Sequence, residues 1–183
     1  IIQNNHIILK KEFYFYISSV LDDLMLELSK SFVKNEYFYL YKNVFNLKSI
    51  EVIRYPNISS ENKIRLLSPI TVYRTFKNGN KKETRYYSPL ESDFYYLIKT
   101  NLFKKYKTFY NIDIKEDEFN FNMKVDKFDY NKHSKVIMYN DFVIRCFEGS
   151  FILSGDKDII TFAYDVGLGS KNSQGFGMFD IIS

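Results

Sequence analysis

A chain of 183 residues that is 45% apolar can bury the core of one large domain or two small packed ones, and it carries a net charge of +4. No run approaches the roughly 18 uninterrupted apolar residues of a membrane span, the opening residues lack the charged and apolar regions of a secretory leader, and the lone Cys146 excludes an internal disulfide or a cysteine-rich zinc site. The composition describes a globular protein, expected in the cytoplasm with no membrane partner, metal or cofactor.

The chain opens on Ile1 rather than Met, in what reads as a strand, so an upstream segment is expected. Residues 7–17, rich in Ile, Tyr and Phe, read as a strand, and Ser18 or Ser19 is placed to cap a helix directly after it. Leu21, Leu24, Met25, Leu28 and Phe32 then recur at helical spacing, with Asp22 and Asp23 in the first turn, where the helix dipole favours acids. Past an aromatic stretch at 37–41, Leu47, Ile50, Val52 and Ile53 predict a strand that stops at Tyr55-Pro56-Asn57. Strand, helix and strand make half of a ferredoxin-like unit. Residues 1–57 are therefore expected to be the C-terminal half of a first such domain.

A polar linker at 57–62 leads to a complete set of elements, assigned to a second ferredoxin-like domain over 58–183. A strand over 64–74 runs into a lysine-rich hairpin that turns at Asn78-Gly79 and ends near Tyr87. Ser88-Pro89-Leu90-Glu91 combines a capping serine, a proline at the first helical position and the glutamate of a capping box. Phe94, Leu97, Ile98, Leu102, Tyr106 and Phe109 supply the buried stripe, which leaves Lys99, Lys104, Lys105 and Lys107 for the wet face. Phe119, Phe121, Met123 and Val125 alternate with polar residues, as in a strand with one solvated side. A long strand is predicted over 136–153, with a bulge at Gly149. A helix from Asp156 turns Ile159, Ala163 and Val166 inward and ends at Gly167, and the last strand runs over 176–182. The order β-α-β-β-α-β is the α+β ferredoxin-like (RRM-like) motif, here in tandem with an incomplete first unit.

Charge is uneven along the chain. Residues 61–110 hold eleven Lys/Arg against four Asp/Glu, the footprint of a site for a polyanion such as a nucleic acid. Arg65, Arg74, Lys77, Lys81, Lys82 and Arg85 fall on the strand and hairpin of the second unit, where a basic ribbon could follow phosphates. A solvated surface hairpin accounts for them equally well.

Gly167-Leu168-Gly169-Ser170-Lys171-Asn172-Ser173-Gln174-Gly175-Phe176-Gly177 places four glycines between a helix and the last strand. Bare backbone of this kind lets N–H groups approach an anion, Lys171 adds a point charge, and Ser170, Asn172, Ser173 and Gln174 add neutral donors. A P-loop is excluded because Lys171 follows Ser170 and the loop follows a helix; a dinucleotide fingerprint is excluded because these glycines precede a strand. The plainer reading is a helix cap with a tight turn, for which one glycine would suffice.

That loop, ahead of a closing hydrophobic strand, resembles the signature loop of the CRISPR repeat-processing endoribonucleases of the RAMP superfamily, the CRISPR-associated family that generates crRNA. Leu67-Ser68-Pro69-Ile70 resembles the family's turn into its second domain, and Phe94-Tyr95-Tyr96-Leu97-Ile98 with Lys105-Tyr106 resembles the helix after it. Residues 145–149 and Ala163-Tyr164-Asp165-Val166-Gly167 also match in position. The resemblance implies a protein that binds CRISPR repeat RNA and, in full-length form, cleaves the precursor transcript without a metal, the ribose 2′-hydroxyl attacking the adjacent phosphate. It implies RNA contacts at Gly167, Gly169, Ser170, Lys171, Asn172, Ser173, Gln174, Gly175 and Gly177, and the basic residues of the strand and hairpin join them.

Family members draw their catalytic groups from the first helix and following loop of the first unit, which the resemblance places upstream of Ile1. No residue of the chain is assigned a catalytic role. His6 and His133 both read as solvated histidines, with His6 the weak candidate. Two alternatives stay open: a non-catalytic RNA-binding RAMP subunit that holds guide RNA with other effector subunits, and a ferredoxin-like module for a protein or small ligand. A homodimer is compatible with each.

Overall fold

The computed structural model describes residues 2–3, 6–7, 12–79, 81–139 and 142–182. Two short strands, β1 (Ile2–Gln3) and β2 (His6–Ile7), pair antiparallel. Of the strand expected over 7–17, residues 8–11 lie outside the described residues and 12–17 carry no strand. Helix α1 (Asp22–Asn35) starts with its two acids, and Ser19 Oγ accepts the Leu21 N–H at 3.1 Å just ahead of it. The aromatic stretch is itself β-structure: β3 (Tyr37–Leu40) pairs with β4 (Asn43–Asn46) around Tyr41, whose φ of 55° suits a tight turn. The strand expected at 47–53 does not form. It pairs with no strand among the described residues, and Val52 and Ile53 are exposed. Phe13, Phe15, Phe32, Phe38 and Phe45 pack ring on ring as the apolar nucleus of this part, and α1 fully buries none of its residues.

β5 (Glu61–Leu66) begins inside the expected linker. Asn62 is buried there because its side chain closes a turn, accepting the Ser59 N–H at 2.9 Å and donating to the Ser59 carbonyl at 2.6 Å. The predicted strand over 64–74 is two strands. The chain leaves the sheet after Leu66, passes Pro69, which has no N–H to donate, and forms β6 (Tyr73–Asn78), paired with β7 (Lys81–Tyr86) in a separate two-stranded sheet. Asn78 lies opposite Lys81, so the turn begins at Gly79, φ 60°, one residue beyond expectation.

The Ser88 N–H donates to Glu91 Oε1 at 2.8 Å as a capping box requires, yet α2 (Ser92–Tyr110) starts a turn later. It buries Phe94, Ile98 and Leu102. β8 (Phe121–Lys127) turns Phe121 and Met123 inward as alternation predicts, but Val125 is exposed where the register shifts opposite Ser150 and Phe151. After the short helix α3 (Tyr130–His133), the expected long strand resolves into β9 (Ser134–Tyr139), β10 (Phe142–Phe147) and β11 (Ser150–Gly155). β9 and β10 form their own hairpin, and Gly149 at φ 137° breaks the chain before β11. Helix α4 (Lys157–Val166) buries Ile159, Ile160, Phe162 and Ala163 and ends at Gly167, whose φ 73° and ψ 161° differ from a left-handed helix cap. β12 (Phe179–Ile181) is shorter than the predicted 176–182.

The four long-range strands lie in the order β12-β5-β11-β8, each neighbour antiparallel, with α2 between β5 and β8 and α4 between β11 and β12. This is the ferredoxin-like split β-α-β arrangement. Ile64, Phe121, Phe151, Leu153 and Phe179 from the sheet meet Phe94, Ile98 and Ile160 from the helices in one core. Burying each such side chain contributes about 1.5–3 kcal/mol.

Candidate nucleic-acid interface

The glycine-rich loop is braced from within. The Leu168 N–H donates to the Gly177 carbonyl at 2.9 Å, the Ser170 N–H to the Thr71 carbonyl at 2.9 Å, and the Gly177 N–H to the Pro69 carbonyl at 3.0 Å. The amides of Gly167, Gln174 and Gly175 also donate to carbonyls of the chain. The anion cradle expected from bare backbone is thus largely occupied by the protein itself. Gly167, Gly169 and Gly177 are buried, whereas Ser173, Gln174 and Gly175 are exposed and Ser170, Lys171 and Asn172 half-buried.

Asn172 ties the loop across its middle. Its Nδ2 donates to the carbonyls of Leu168 at 3.0 Å and Phe176 at 2.9 Å, and its Oδ1 accepts from Lys105 Nζ at 2.6 Å. Lys105 also donates to the carbonyls of Gly167 at 3.2 Å and Gly169 at 3.3 Å. The wet face of α2 was the expected place for this lysine, and the structure instead sets it beneath the loop. Burial pushes its pKa down to about 8, and three oxygen acceptors favour the ammonium that remains at neutral pH. The sequence did carry a signal for it, since Lys105 follows Ile98 and Leu102 at helical spacing.

Lys171 adopts a left-handed backbone, φ 61°, and sets its Nζ 5.5 Å from the centre of the Tyr73 ring at the root of the β6–β7 hairpin. Thr71 bridges to Ser170, and Phe176 packs with Ile144, Cys146 and Tyr86, so the loop sits where the β6–β7 and β9–β10 hairpins meet. The Tyr86 hydroxyl donates to the Val143 carbonyl at 3.0 Å across that junction.

The basic ribbon is divided. Arg65 belongs to the four-stranded sheet, opposite Ser150 and Asp180, while Arg74, Lys77, Lys81, Lys82 and Arg85 belong to the separate hairpin. In the hairpin Lys77 lies directly opposite Lys82 and Arg74 opposite Arg85. Like charges in opposed positions destabilise a hairpin. Arg74 reaches the Tyr96 ring, and Arg85 pairs with Glu91 at 2.9 Å, which leaves Lys77, Lys81 and Lys82 exposed at the far end.

Among the described residues His133 assembles no acid–base pair. His6 lies in β2 and its side chain falls outside the described residues. His133 Nδ1 accepts the Asp129 N–H at 2.8 Å, a cap-like role at α3, and its ring lines a cavity of about 280 Å³ with Arg65, Ser68, Glu148 and Ser150. Among the described residues no group of three or more His, Cys, Asp or Glu is placed to hold a metal ion, and no helix is long and apolar enough to cross a membrane.

Residues 51–181 match the family described as CRISPR associated protein Cas6, C-terminal. The chain is 31% identical over 165 residues to the CRISPR-associated endoribonuclease Cas6 1 of Methanocaldococcus jannaschii, a match covering 90% of this chain and 62% of that protein. A solved structure titled CRISPR associated protein Cas6 superposes with a TM-score of 0.77 at 28% identity, covering 91% of this chain and 66% of that one. Another, titled an RAMP protein binding different RNA substrates, gives a TM-score of 0.77 at 25% identity over 91% of this chain and 67% of its own. The chain thus spans a little under two thirds of the length of the M. jannaschii relative.

Proposed function

The chain belongs to the Cas6 C-terminal family of CRISPR-associated proteins, and we propose that it binds CRISPR repeat RNA through the glycine-rich loop and the basic hairpin beside it. The observation that carries this reading is the placing of Lys171, held in a left-handed backbone over Tyr73 at the root of a hairpin whose opposed lysines and arginines repel one another. Phosphates bridging those cations turn a destabilising pattern into a binding surface. Exposed Ser173 and Gln174 add donors at the loop's outer edge.

In its full-length form the protein cleaves the precursor transcript to give crRNA. The ribose 2′-oxygen bonds to the adjacent phosphorus as its proton passes to a general base, the P–O5′ bond breaks, and a general acid protonates the leaving 5′-oxygen. A 2′,3′-cyclic phosphate and a 5′-hydroxyl result, and no metal takes part. The cleaving groups belong to the part of its relatives' length that this chain does not match. Residues 1–57 act as the C-terminal half of a first ferredoxin-like domain and 58–183 as the complete second one, working in the cytoplasm.

A second reading is a non-catalytic RAMP subunit that holds guide RNA, in which the same loop and hairpin bind RNA and no group cleaves it. Incubating the full-length protein with labelled repeat RNA in EDTA separates the two. One defined cut ending in a cyclic phosphate supports the nuclease, and bound but intact RNA supports the subunit. Binding that is undetectable, or indifferent to salt, would overturn both and leave a protein- or ligand-binding module.

A further inference from the structure

We propose that Lys105 is a positioning residue for RNA binding: its ammonium locks the glycine-rich loop in the form that presents Lys171 to phosphate. This deepens the proposed function and rests on the reading that Lys171 contacts RNA. A trans peptide unit points its C=O and N–H in opposite directions. The carbonyls of Gly167 and Gly169 both accept from Lys105 Nζ, at 3.2 and 3.3 Å. On the far sides of the same two peptide planes, the Leu168 N–H is held by Gly177 and the Ser170 N–H by Thr71, each at 2.9 Å. Both planes are therefore gripped at both ends and cannot rotate. Asn172, on the other side of Lys171, is anchored to the same ammonium at 2.6 Å.

Lys171 is thus the residue between two clamped points, and its backbone is one that L-residues avoid. A left-handed φ costs a non-glycine residue about 1–2 kcal/mol and persists only where its surroundings impose it. Glycine would sit there without strain, and the loop already uses glycine at four positions. A lysine in that conformation, directed over Tyr73 by its neighbours, indicates that the ammonium itself is needed there. Lys105 is the side chain that a helix of the core contributes to the brace from outside the loop and the 67–73 segment, alongside the Ala163 carbonyl of α4 that accepts the Gly167 N–H. An apolar residue following Ile98 and Leu102 would serve packing alone; a cation there serves the loop.

The test is a double-mutant cycle on RNA binding by the full-length protein, with Lys105→Met, Lys171→Ala and the double variant titrated with labelled repeat RNA across a salt series. Each single variant is expected to bind more weakly and to lower the slope of log K against log salt by about one phosphate contact, ~0.7 for single-stranded or ~0.9 for duplex RNA. The double variant is expected to match the weaker single, because both remove the same contact. A folded Lys105→Met protein with unchanged affinity and slope overturns the inference, as does a double variant whose loss is the product of the two singles. Should Lys105→Met fail to fold, Lys105→Gln, which keeps a neutral donor, carries the same comparison. An unchanged Lys171→Ala protein would instead sink the reading of the loop as an RNA contact, a result distinguishable from failure of the Lys105 inference alone.

Discussion

Two glycines of the loop share a positive φ and differ in what surrounds them. Gly175 has φ 87° and Gly177 φ 77°, so alanine at either meets the left-handed penalty of about 1–2 kcal/mol. Around Gly175 nothing lies within 4 Å of an added Cβ, and the reduced freedom of the unfolded chain returns about 0.4–1 kcal/mol. Gly175→Ala should therefore cost about 0–1.5 kcal/mol. At Gly177 the Cβ would stand 1.9 Å from the Leu168 carbonyl oxygen and 2.9 Å from Asn172 Nδ2. That oxygen cannot retreat without breaking the bond it accepts from Asn172, and Gly177 cannot retreat without drawing its carbonyl away from the Leu168 N–H. Two broken hydrogen bonds at about 1 kcal/mol each, with strain added, make Gly177→Ala about 3–5 kcal/mol destabilising. For a chain of this size each kcal/mol moves Tm by about 2–4 °C. Thermal and urea unfolding followed by circular dichroism should show a small shift for Gly175→Ala and one several times larger for Gly177→Ala. Equal shifts would refute the account of the loop as an internally braced structure.

Alanine at Lys77, Lys81 and Lys82 together should reduce the salt slope of RNA binding by up to about 0.7–0.9 for each phosphate that the hairpin no longer neutralises, while relief of the Lys77–Lys82 repulsion keeps the hairpin folded; an unaltered slope would take the hairpin off the interface. Glu91 has its carboxyl held below the usual glutamate range, first by the Ser88 N–H and then by Arg85, against some opposing burial. A depressed acid stabilises the fold above its unfolded-state pKa, and that contribution disappears as pH falls through the lower folded-state value. Glu91→Gln should therefore flatten the acid side of the stability profile, and an unchanged profile would count against the pairing. Phe151→Ala, which removes a fully buried ring stacked on Phe94, should cost about 3–5 kcal/mol in urea unfolding, and a loss below 1 kcal/mol would contradict the core described.

Much of the second unit was legible in the residues because its signals are local. The stripe of Phe94, Ile98 and Leu102, the alternation of Phe119, Phe121 and Met123, and the glycines of the loop each act over a few residues of chain. Strand boundaries were less legible, because an apolar run does not name its partner. Residues 136–153 read as one strand, yet Val136, Met138 and Phe142 stand exposed on a hairpin while Phe151 and Leu153 enter the core. Residues 47–53 have strand composition and meet no ladder among the described residues.

The candidate site divides in the same way. Order along the chain was enough to identify the 167–177 loop and to separate it from nucleotide-binding loops, since helix, glycines and strand follow one another in sequence. Tertiary structure alone decided what the loop's backbone does, because its partners come from Pro69, Thr71 and Lys105, far away in the chain. It also divided Arg65 from the hairpin cations and moved Lys105 from solvent to beneath the loop. Charge and periodicity show which residues can meet an anion. Only the folded chain decides which of its cations are already committed to its own carbonyls.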